Sequence, residues 1–236
     1  MKILAIESSS MVAGAAVVDD DKVVAEYLLN HKKTHSQILM PLVDEMLDGV
    51  DMSLDDIDAF AVSSGPGSFT GLRIGISTIR ALAQSIGRPV IGVPTLDGLA
   101  YNMAYSKGIL CPIMDARREQ VYTCIYRWEK NKLVRMEDYM AVPVVQLLDI
   151  LTKLEGPFIF NGDGVAAYRH IIEKEMGDNA LFAPAHCAMQ RPSTVARLAM
   201  EMAREGQLKN YLELMPFYLR KSQAEQRRMQ KIAQEE

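Results

Sequence analysis

The chain has 236 residues, with 26 Lys and Arg against 30 Asp and Glu, for a formal net charge of −4. Its 49% hydrophobic and 24% charged residues are ordinary globular usage and exclude a disordered or collagen-like chain. A sequence pI near 5.7 argues against holding nucleic acid by bulk charge. Three cysteines without close spacing suggest no disulfide framework. No apolar run approaches the roughly 18–20 residues of a membrane span, so a cytosolic protein is expected.

In chain order, Lys2 to Glu7, Met11 to Val18 and Lys22 to Leu29 read as three strands of a meander. Polar turns at Ser8-Ser9-Ser10 and Asp19-Asp20-Asp21 separate them. Apolar residues from Ile38 to Val50 recur at helical spacing, predicting a helix with Ser36 as N-cap and Pro41 awkwardly near its start. Ala59 to Ser63 is a buried-strand pattern that runs through a Gly-rich stretch into a helix from Gly71, ended by Gly87. Val90 to Val93 is a further strand and Leu96 to Tyr105 a helix.

After Lys107-Gly108 the pattern partly restarts. Ile109 to Met114, Val121 to Trp128 and Leu133 to Tyr139 read as strands, followed by a helix (144–154), a strand (158–161) and a helix from Val165. Two successive halves of this kind predict an α/β chain of two domains, each a mixed sheet flanked by helices, with a boundary near residue 106. The expected second, smaller domain is 107–220, with a polar tail at 221–236. The helix from Ser193 to Glu205 and the strand-like Leu214 to Leu219 close back on either half. This duplicated plan is that of the actin, Hsp70 and sugar-kinase ATPases, in which turns between strands hold phosphate through backbone N–H groups.

In that plan the first phosphate turn is Glu7-Ser8-Ser9-Ser10, which reads equally as a plain polar hairpin turn. The stretch 65–75 lacks the Lys of a Walker A loop and the spacing of a dinucleotide fingerprint. Gly67, Gly71 and Gly75 instead form a stripe of small residues. It suits a helix–helix contact, internal or between chains, or close packing on its own sheet. Asn161-Gly162-Asp163-Gly164 lies between strand and helix, where Asp163 would meet a ribose or the glycines simply turn the chain. His31 and His35 are four apart, but the segment leaves a strand, which disfavours a metal pair. Between Lys33 and Arg73 the chain carries seven acidic residues and no Lys or Arg, a face that would repel a phosphate backbone and reads as a solvated acidic surface or one that meets a basic partner. No Gly-x-Ser-x-Gly elbow occurs.

Several blocks together resemble the TsaB family, formerly YeaZ. They are Ile6-Glu7-Ser8-Ser9, His35-Ser36, Ser64-Gly65-Pro66-Gly67-Ser68-Phe69-Thr70-Gly71-Leu72-Arg73-Ile74-Gly75, Asp115-Ala116-Arg117-Arg118 before Val121-Tyr122, and Tyr218-Leu219-Arg220. The resemblance implies a bacterial subunit of the machinery that places threonylcarbamoyl on the adenosine beside the tRNA anticodon, paralogous to the catalytic subunit TsaD. It further implies a non-catalytic scaffold that binds TsaD, with the ATPase TsaE joining, a homodimer when alone, and tRNA met only through the complex. The metal pair of TsaD aligns with Thr95 and Leu99, and its second phosphate turn with Asp115-Ala116-Arg117-Arg118. Bulky side chains there replace the glycines that approach phosphate.

No cofactor is then expected, and any residual ATP or ADP contact would fall to Glu7, Ser8, Ser9, Gly162, Asp163 and Gly164. The implied partner interface is Ser36, Leu39, Leu42 and Met46 of the first helix with Gly71, Leu72, Arg73, Gly75, Ile76, Ile79 and Arg80 of the second. The alternatives are a stand-alone ATPase or sugar-kinase-like enzyme and, weaker, a metallopeptidase.

Overall fold

The computed structural model describes residues 1–31 and 34–220; the expected tail at 221–236 lies outside them. Strands β1 (Lys2–Glu7), β2 (Val12–Asp19) and β3 (Lys22–Asn30) form an antiparallel meander. The chain then enters α1 (His35–Asp48), β4 (Ala59–Gly65), α2 (Phe69–Ile86), β5 (Val90–Pro94) and α3 (Thr95–Tyr101). β4 and β5 run parallel to β1, giving the order β3-β2-β1-β4-β5.

The second half holds β6 (Ile109–Asp115), β7 (Gln120–Thr123), β8 (Tyr126–Glu129), β9 (Lys132–Arg135) and β10 (Met140–Pro143). It continues with α4 (Val144–Leu151), β11 (Phe158–Asn161), α5 (Gly164–Met176) and β12 (Ala180–Phe182). Its order, β10-β7-β6-β11-β12, repeats that of the first sheet, with β8 and β9 paired to the side. A last helix, α6 (Pro192–Arg204), follows.

Both sheets are covered on both faces, which is why β1, β2 and β4 read as nearly unbroken apolar runs. Leu4, Ile6, Ala15 and Val17 pack under Leu39, Val43, Met46, Ile76 and Ile79 of α1 and α2. Ile3, Ala5, Ala59 and Ala61 meet Val195, Ala196, Ala199 and Met200 of α6 on the other face. In the second sheet Cys111, Ile113 and Phe160 pack with α4 and α5. Leu96, Leu99 and Ala100 of α3 pack with Leu110, Met114 and Tyr126. Residues 192–214, expected within the second domain, therefore lie on the first sheet, where Leu214 also joins the core.

Some local expectations change. The first helix starts at His35 with Thr34 as N-cap rather than at Ser36. The third ends at Tyr101, short of Tyr105, whose φ is +60. The expected strand 121–128 divides into β7 and β8; of 133–139 only 133–135 is strand, in β9, and β10 is a separate strand that begins after it. Between the pairs Tyr126↔Arg135 and Thr123↔Met140, two residues on one side face four on the other. This irregularity pushes Tyr139 out of the ladder and onto Asp97, 2.8 Å away. β12 was too short to carry a pattern. Leu214 to Leu219 is no strand, because Pro216 has no N–H to offer a ladder.

Candidate functional site

A cleft of about 470 Å3 opens between the halves. One wall carries Ser9, Ser10, His35 and the start of α2 at Ser68 and Phe69; the other carries Asp115, Arg117, Arg118, Tyr122 and Asp163, with Arg220. This is the place where the two turns of an ATPase of this plan would hold phosphate.

The first turn is spent on the protein itself. Glu7, 1% exposed, accepts from the Ser9 amide at 2.6 Å, from Ser9 Oγ at 2.5 Å and from Ser63 Oγ. Burial pushes the Glu7 carboxyl above its ordinary value, and the hydroxyls of Ser63 and Ser9 oppose that. From above, the Ser68 amide donates to Ser9 O at 2.7 Å, and Ser8 Oγ donates to Gly71 O at 2.9 Å. A Cβ on Gly67 would stand 2.4 Å from Ser9 O, one on Gly71 2.1 Å from Ser8 O, and one on Gly75 2.2 Å from Ser8 Oγ. The glycine stripe is thus an internal seat for the β1–β2 turn, not a surface for another chain. Of the first-turn residues only Ser9 and Ser10 border the cleft.

The second turn is built of side chains where a phosphate would need bare backbone. Arg117, Arg118 and Glu119 have φ of +64, +55 and +59, three successive residues in a region that disfavours a Cβ. Asp115 anchors them: its Oδ1 accepts from the Arg117 amide at 2.9 Å and from Tyr168 OH at 3.2 Å. Asp163 accepts from the Asp115 amide at 3.3 Å. Gly162, with φ +96, and Gly164 do not face the cleft; a Cβ on either would press on Ile113 O, at 2.2 and 3.0 Å. These glycines serve packing on β6. Thr95 and Leu99, 1% and 0% exposed, are likewise in the interior. His35 Nε2 sits 3.1 Å from Val12 O, while His31 is exposed.

Burial pushes the Asp163 carboxyl from 3.8 up to about 6; its bond from the Asp115 amide opposes this and the Asp115 charge adds to it. A carboxyl with a raised folded-state value binds its proton first as the pH falls. The contribution of Asp163 to stability therefore rises as pH drops from about 6 toward 4 and is lost again as pH climbs through that window. Asp163→Asn should flatten this dependence and raise stability at neutral pH by on the order of 1 kcal/mol, since the cleft side stays partly solvated. Urea midpoints above and below the window measure it.

The expected interface residues divide. Leu39, Leu42, Met46, Leu72, Ile76 and Ile79 are between 0% and 8% exposed and belong to the chain's own core, so they offer no area to a partner. Ser36, Arg73 and, half-buried, Arg80 face outward. The outer face of α2 is instead a row of Thr70, Arg73, Ser77, Ala81 and Gln84, beside Met40, Asp44 and Glu45 of α1. Helical spacing located both helices, but which half of each stripe faces the sheet depends on the sheet's position.

Another buried cluster carried no sequence signal. Asp97 accepts from Tyr126 OH at 2.6 Å and Tyr139 OH at 2.8 Å, and burial raises its carboxyl while those hydroxyls oppose the shift. It pins α3 to the second half.

The family model described as TsaD, tRNA N6-adenosine threonylcarbamoyltransferase, matches residues 22–228. The tRNA threonylcarbamoyladenosine biosynthesis protein TsaB of Bacillus subtilis (strain 168) is 35% identical over 95% of this chain and 96% of its own length. The chain belongs to the TsaB family. The solved structure of YeaZ from Pseudomonas aeruginosa matches with a TM-score of 0.74, 22% identity and coverage of 92% of this chain and 99% of that one. The fold alone extends further, to component A of Acidaminococcus fermentans (R)-2-hydroxyglutaryl-CoA dehydratase. That match has a TM-score of 0.50 at 10% identity, over 86% of this chain and 99% of the other. The duplicated actin-like plan expected from the strand order is the fold observed. Among the described residues no helix is long and apolar enough to cross a membrane.

Proposed function

We propose that this chain is a non-catalytic subunit of the assembly that makes threonylcarbamoyladenosine in tRNA, where it binds and supports a TsaD-type catalytic subunit. The observation that carries the reading is the state of the phosphate turns in a member of the TsaB family. The first turn is occupied by the chain's own Glu7 carboxylate and the Gly67–Gly71 backbone. The second presents Arg117 and Arg118 in place of glycines. An ATP clamp so altered lacks the bare backbone that approaches a phosphate closely, and keeps a shape to offer a partner.

The partner surface is the outer face of α1 and α2. Ser77 and Ala81 are small enough for a second helix to approach closely, and Arg73 and Arg80 stand at its margin as rim charges. The same face joins two copies of this chain when the catalytic subunit is absent. The ATPase TsaE joins the assembly, and tRNA is met through the complex.

The test mixes the purified chain with its TsaD-type subunit and follows co-elution and tRNA modification. Ser77→Arg combined with Ala81→Arg should leave the fold intact and weaken co-elution by at least about tenfold. Unchanged binding by this folded variant would refute the surface assignment. Modification by the chain alone would refute the non-catalytic reading.

A further inference from the structure

The geometry points to residues 214–220 as a strap that fixes the opening between the two halves and ties the cleft to the outer face of α2. Leu214, 3% exposed, is rooted in the core beneath α1 and α2. The Phe217 amide then donates to Ser64 O at 2.7 Å, at the end of β4. Gly65 makes that crossing possible: its φ is +126, and a Cβ there would stand 2.1 Å from Phe217 O. Tyr218 stacks on Phe69 of α2, with ring centroids 4.3 Å apart and planes at 12°. Arg73 Nε donates to the Tyr218 hydroxyl at 3.0 Å.

Within the next two residues the chain reaches the other half. Leu219 packs in the cluster of Leu96, Met114 and Tyr122, and Arg220 Nη1 donates to Ala116 O at 3.0 Å. The Phe217 ring lies 5.4 Å from that of Tyr139. A short segment therefore bonds to both sides of the cleft. Its last anchor, Ala116, immediately precedes the three left-handed residues of the β6–β7 turn. Backbone held in such sparsely populated regions persists only where its surroundings enforce it. Arg220 supplies that enforcement from the cleft side. Arg73 begins on the solvent-facing row of α2 and ends on Tyr218, so a contact made on Arg73 is felt at the cleft turn.

The strap acts in the free chain, with or without a partner on α1 and α2. Amide hydrogen exchange on the isolated full-length protein tests it, read at the Ala116 amide, which donates to Gln120 O at 2.9 Å, and at the Gln120 amide, which donates to Arg117 O at 3.2 Å. Arg73→Ala and Tyr218→Phe each remove a bond in the first half. Each should speed exchange at these second-half amides by about fivefold, the weight of one ordinary hydrogen bond. Arg220→Ala should do the same, and the β11 amides should keep their wild-type rates in all three. Wild-type exchange at Ala116 and Gln120 in Arg73→Ala and Tyr218→Phe overturns the coupling. Equal acceleration in β11 also overturns it, since that reports general loosening.

Discussion

Gly71→Ala is expected to lower stability by about 3 kcal/mol or more, read as a shift of the urea midpoint at constant slope. The new Cβ would stand 2.1 Å from Ser8 O, which is backbone, and Ser8 itself is 0% exposed. Neither side can yield by turning a side chain. The β1–β2 turn or the first turn of α2 must move, with the Glu7 bonds that depend on them. Gly87→Ala supplies the comparison. It closes the same helix with φ +66, and nothing lies within 4 Å of its Cβ position, so it should cost only about 1 kcal/mol of left-handed strain. If the two variants unfold alike, the stripe is not seated on Ser8, and its role as a surface for another chain returns.

The second large effect separates core from surface on α2. Leu72→Ala should cost about 3 kcal/mol, because the side chain is 0% exposed and its removal leaves a cavity among well-packed neighbours. Ser77→Ala, on the exposed row, should change stability by less than about 0.5 kcal/mol. Partner binding should respond in the opposite sense: folded Leu72→Ala keeps its outer face, whereas a bulky substitution at Ser77 spoils it. Thermal or urea unfolding beside co-elution at a fixed temperature reads both. A Leu72→Ala protein as stable as the parent would place that side chain outside the core.

By itself the sequence determined the class of fold, most of its elements along the chain and the repetition of one half by the other. Those features rest on local signals: apolar runs bounded by polar turns, glycine at the end of a helix, and a pattern that restarts near Lys107. It also named the blocks that mark the family. Only the tertiary structure decided which way those blocks face. A helix periodicity does not say which sheet lies beneath it, and Leu39, Met46, Leu72 and Ile79, which the family resemblance puts at a partner interface, lie buried in the chain's own core. The glycine stripe was ambiguous for the same reason, since small residues permit close approach by any backbone, and here that backbone is Ser8–Ser9. The strap from Leu214 to Arg220, the Asp97 cluster and the placement of α6 on the first sheet join residues far apart in sequence. No local pattern encodes such contacts, and packing alone creates them.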